Sequence, residues 1–126
     1  MENKTTLLLS AVKEIFSEYC PTTSFWRSIT GKFPRTEYEI KKIQSDIVDK
    51  YILTVNLYEK NDLSEITKIA DRLDDEVSMA TYETDLFYFK FINNNDRQII
   101  NENDPTIGRL MFTYQILLYW RDNLNE

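Results

Sequence analysis

The residues with spacing suited to chemistry are Asp71, Asp74 and Asp75, followed directly by Glu76. On a helix, positions i, i+3 and i+4 share one surface. Such a surface can hold Mg²⁺ or Ca²⁺ when a second element supplies further oxygens. The plainer reading is a solvated acidic face opposite an apolar stripe, and it is adopted here, so no metal site is assigned. The chain has no histidine, which removes the commonest general base and metal ligand. It has one cysteine, Cys20, too few for a zinc knuckle and without a histidine to activate it. Cys20 is therefore expected to be a small core residue. Neither glycine, Gly31 or Gly108, lies in a phosphate-cradling loop. Phe87, Phe89 and Phe91 have the alternation of a base-stacking platform, but only Lys90 is interleaved with them, so packing in a sheet core is expected. Phe25 and Trp26 sit in a loop-like segment, as a core plug or as an interface anchor. No catalytic residue, cofactor site or enzymatic activity is expected.

Composition narrows the classes further. A chain of 126 residues suits one domain with one core. Hydrophobic residues make up 42% and charged residues 29%, which argues against disorder. The net charge of −6 opposes nucleic-acid readout and binding to an anionic membrane. A single cysteine fits a reducing compartment. The N-terminal stretch MENKTTLLLSAVKEIF lacks the apolar run of a signal peptide. No window reaches the roughly 18 apolar residues that span a bilayer.

The elements that would position these residues follow from periodicity. Residues 4–20 read as a helix, with Leu8, Val12, Ile15 and Tyr19 on one face and Pro21 as its stop. Residues 22–35 read as an irregular connection. Residues 36–50 are ambiguous: Thr36 and Glu39 have capping-box spacing, and Ile40, Ile43 and Ile47 suit a helix. The alternation of Tyr51, Leu53, Val55 and Leu57 instead favours a hairpin over about 37–58, tipped at Ser45–Asp46. Residues 62–80 read as an amphipathic helix capped by Asp62, with Glu65 at its third position. Strands are expected at about 86–92 and 97–101, separated by the asparagine-rich turn 93–96. The most apolar stretch, 109–120, has a helical alternative through Leu110, Met111, Tyr114, Leu117 and Leu118. As a strand it places Leu110, Phe112, Tyr114, Ile116, Leu118 and Trp120 on one face, and aromatic and β-branched enrichment favours that reading. The expected fold is α+β: a single small domain with two helices packed on a mostly antiparallel β-sheet.

Three stretches, DKYILTVNLYEKNDLSEITKIADRLDDEV, LFYFKFINNND and DPTIGRLMFTYQILLYW, carry a resemblance. Their order resembles the tail-terminator, or tail-completion, proteins of long-tailed phages over roughly residues 47–120. The resemblance implies a homo-oligomeric ring, typically a hexamer, that caps the tail tube and joins it to the head–tail connector. It implies a place at the neck end of the virion tail after assembly in the host cytoplasm, with DNA only as a passing strand. It implies no enzyme activity and no cofactor. An acidic ring lumen would keep that DNA from sticking. The alternative from the charge alone is a small acidic cytoplasmic immunity or inhibitor protein that blocks a basic toxin or defence protein.

Overall fold

The computed structural model describes residues 4–19, 23–25, 33–45 and 48–121, with residues 23–25 described by their backbone. Two helices and seven strands follow in the order α1 (Lys4–Phe16), β1 (Thr23–Phe25), β2 (Arg35–Gln44), β3 (Asp49–Lys60), α2 (Ser64–Glu76), β4 (Thr81–Glu83), β5 (Phe87–Asn93), β6 (Gln98–Ile99) and β7 (Ile107–Trp120). The class is α+β, with strands dominating. The sheet order is β1-β2-β3-β7-β5-β4, and β6 continues along β7 beyond β5. Strand pairs are antiparallel except β1 with β2, which run parallel.

The stretch 109–120 resolves to a strand because its period is two and its apolar residues are large, whereas Arg35–Gln44 has no such alternation and becomes a strand by pairing along its length with β3. In β7 every even position from Leu110 to Leu118 is buried, while the odd ones are only partly covered; Trp120, expected on the same buried face, is only partly covered at the strand's end. Tyr51, Leu53, Val55 and Leu57 of β3 and Phe87, Phe89 and Phe91 of β5 share that buried face. Leu8, Val12 and Phe16 of α1, and Ile66, Ile69, Ala70 and Leu73 of α2, complete one hydrophobic cluster with them. Phe16 couples α1 to the sheet, with its ring 5.6 Å from Tyr38 and 6.0 Å from Phe91. Tilted contacts such as these add to area burial because the ring quadrupoles avoid face-to-face repulsion.

Several expectations are corrected. The favoured hairpin forms from β2 and β3, so the helical alternative suggested by the capping-box spacing at Thr36 and Glu39 is not used. The segment 22–35 is not wholly irregular, because Thr23–Phe25 pairs with Thr36–Tyr38 and β2 begins at Arg35. The first helix ends at Phe16 rather than at residue 20, with Ser17–Tyr19 forming turns. The second helix spans Ser64–Glu76 rather than 62–80. Met79, at φ 67, turns the chain into β4, a short strand that periodicity over three residues could not reveal. The returning strand after the asparagine turn is confined to Gln98–Ile99. The expected hairpin tip at Asp46 and the positions of Cys20 and Trp26 lie outside the described residues.

The helix cap is also different. The carboxylate of Asp62 accepts from the Leu63 amide and the Ser64 hydroxyl, close to its own position. The first-turn amides of Glu65 and Ile66 instead donate to Oε1 of Glu59, at 2.9 and 3.2 Å. Glu59 is buried at the end of β3, so the strand itself supplies the acceptor that the helix N-terminus needs.

Candidate functional site

The acidic cluster proves to be a tether between α2 and the sheet. Arg97, in the link from β5 to β6, donates to Asp71 Oδ1 at 2.7 Å and to Asp74 Oδ2. The other oxygen of Asp74 accepts from the hydroxyl of Tyr114, at 2.7 Å. Tyr114 is fully buried in β7, and burial first, then the bond to Asp74, raises its phenol well above the ordinary value. The Arg97 guanidinium is likewise held in its charged form; burial opposes this, but the bonds to Asp71 and Asp74 outweigh it. A cation from the chain therefore occupies the place that a metal would take. Among the described residues, no group of three or more acidic or sulfur ligands is arranged to hold a metal. The solvated-face reading holds for Asp75 and fails for Asp74, which is partly buried.

Phe87, Phe89 and Phe91 point into the core and form no exposed stacking platform. Phe25 lies in β1 opposite Tyr38, but its side chain, like Trp26, is outside the described residues.

The surfaces left accessible are set by the sheet. Both helices cover one face; among the described residues no element covers the other. Its central rows are Lys50–Leu117–Lys90 and Lys41–Ile52–Gln115–Ile92, read across β2, β3, β7 and β5. Tyr88 and Tyr119 stack beside them, with centroids 4.8 Å apart and planes 7° off parallel. These side chains are half-buried by one another, Lys41 excepted, which is exposed. Lysine and apolar residues alternate here on a chain whose overall charge is acidic.

The other end of that face closes on itself. Tyr58 lies between two guanidinium groups, Arg35 at 4.5 Å and Arg109 at 5.5 Å. Arg35 also pairs with Glu37, and Arg109 donates to Asn56 and Glu102. Sequence reading missed this ladder, as it missed Arg97 and Glu59, because its partners lie on different strands and leave no periodic trace.

A cleft of about 670 Å³ lies between the turn at Asn61–Leu63 and the segment Ile99–Arg109. Its acids are already engaged. Asp62 is held below the usual carboxylate range chiefly by the Ser64 hydroxyl, and Asp104 by the Thr106 hydroxyl. Glu102 pairs with Arg109. No helix among the described residues is long and apolar enough to cross a membrane. No protein-family model matches the chain, and comparison with curated proteins finds no match.

Proposed function

We propose that this chain is a non-enzymatic structural subunit of a phage-type tail, forming a ring that caps the tail tube and joins it to the head–tail connector. The observation that carries the reading is the two-faced sheet. One face is packed under both helices, while the other presents Ile52, Leu117, Tyr88 and Tyr119 half-exposed in adjacent rows. Apolar and aromatic side chains grouped in neighbouring rows, here interleaved with lysines, mark interaction surfaces, as scattered single residues do not. The resemblance over residues 47–120 supports the same reading. A DNA-threaded ring is compatible with an acidic subunit, because like charge weakens adhesion to the passing strand.

The inhibitor alternative rests on the net charge of −6. It is less favoured because Asp71 and Asp74, the centre of the acidic cluster, are engaged by Arg97 rather than free for a basic partner. Particle assembly without this protein separates the two. The expected result is tails of irregular length, or tails that fail to join heads. Normal, infectious particles in its absence refute the tail reading.

A further inference from the structure

The two edges of the sheet are complementary. At one edge, β1 pairs only with Thr36–Tyr38, so the outer edge of Glu39–Gln44 has no neighbouring strand among the described residues. Here Lys41, Lys42, Ile43 and Gln44 are all exposed, and Ile43 is 48% exposed. Lysines commonly guard such edges against indiscriminate pairing. A large exposed isoleucine directly after them is the opposite of a guard.

At the other edge, a groove of about 260 Å³ runs between α1 and β4. Ile15, Tyr82 and Phe89 form its apolar wall, and Glu14, Glu18 and Glu83 its rim. Among the described residues, no ion pair engages Glu14 or Glu18, while Glu83 pairs with Arg121. Burial first, then nearby groups including Glu18, raises the phenol of Tyr82. The groove is smaller than the roughly 300–1,000 Å³ of small-molecule sites. Its size and lining suit one or two aliphatic side chains flanked by cations.

We propose that copies of this chain associate head to tail, with Ile43 and Lys41 at the β2 edge of one copy seated in the carboxylate-rimmed α1–β4 groove of the next. The occupant is a second copy because the chain itself presents both halves: an exposed apolar residue next to two lysines, and an apolar groove rimmed by glutamates. The strand order puts these halves on opposite edges, so the contact is heterologous and propagates. A closed rotation then gives a ring. The inference deepens the ring reading above by naming its subunit contact.

The test uses two variants at exposed positions, Ile43→Asp and the double Glu14→Lys, Glu18→Lys, with sedimentation velocity across a concentration series. A nitroxide on Ile43→Cys, in a Cys20→Ser background, reports weak contacts through broadening of Ala11, Ile15 and Tyr82 amides in unlabelled, isotope-enriched copies. Wild type is expected to associate, more weakly at high salt, and each variant to weaken that association about tenfold or more. A 1:1 mixture of the two variants is expected to stop at a heterodimer, because it holds one intact contact. Variants that associate like wild type, a mixture that stays monomeric, or no intermolecular broadening at millimolar concentration would each overturn the proposal. Failure here is distinct from failure of the tail reading. Normal tails assembled with Ile43→Asp protein overturn this contact alone, whereas normal tails without the protein overturn the tail role and leave the contact standing.

Discussion

Replacing Glu59 with alanine tests whether β3 caps α2. Glu59 Oε1 accepts two first-turn amides, one of them the buried amide of Ile66. Loss of a helix cap costs about 1 kcal/mol. A buried amide left without a partner adds about 1–3 kcal/mol. The amide of Glu65 is nearer solvent and regains water, and removing a buried carboxylate relieves some desolvation. The net expectation is about 2–3 kcal/mol of lost stability. For a domain of this size that lowers Tm by roughly 10 °C. Chemical denaturation should show a lower midpoint with an unchanged slope, because the surface exposed on unfolding is the same. Glu59→Gln keeps an acceptor oxygen and should lose about half as much. Asp62→Ala is the control, since Asp62 is the residue that sequence spacing nominates as the cap. Its carboxylate serves only Leu63 and Ser64 and is exposed, so its removal should cost clearly less than that of Glu59. If Asp62→Ala proves as costly as Glu59→Ala, the cap assignment is wrong.

Three further outcomes follow from the packing. Asp74→Asn weakens the bonds to Arg97 and Tyr114 and should cost about 1.5–3 kcal/mol, whereas Asp75→Asn should leave the denaturation midpoint unchanged; equal effects would refute the tether. Gly108→Ala should destabilise by about 1–3 kcal/mol, because a Cβ there collides with the Asp62 carbonyl oxygen and sits 2.6 Å from Leu63 Cδ2; a wild-type melting temperature would contradict this close approach. Tyr38 and Tyr114 have raised phenol values, both chiefly through burial, so the folded state favours their neutral forms. The stability they contribute is complete below the ordinary tyrosine value of 10.0 and is lost as pH rises above it toward their folded values. Tyrosinate absorbance should therefore show these two of the eight tyrosines ionising only with alkaline unfolding, and full ionisation of a folded chain near that ordinary value would refute it.

The side-chain parity of the long strands was legible in the sequence. Leu110, Phe112, Tyr114, Ile116 and Leu118 share a parity, as do Tyr51, Leu53, Val55 and Leu57, and all are buried. A period of two in large apolar residues has one low-energy solution when a single face is covered. The stripe Ile66, Ile69, Ala70 and Leu73 identified the second helix for the corresponding reason at a period near 3.6. Asn95 lies at φ 55 within the turn that its asparagines announced.

The tertiary structure decided what depends on partners distant in the chain. Glu59 and Asp62 are both acids ahead of a helix, and only the path of β3 brings the former onto the amides. Arg97 gives no local sign that it neutralises Asp71 and Asp74 from 23 or more residues away. Asp49 is buried because the indole of Trp120, 71 residues later, donates to it at 2.8 Å. The exposed edge around Ile43 and the groove beside Glu14 and Glu18 likewise exist only once β2 and β4 occupy opposite ends of the sheet. Periodicity records which side of an element is apolar, because burial acts on every turn or every second residue. It does not record which charged side chains meet, since a single long-range contact leaves no repeating pattern in the chain.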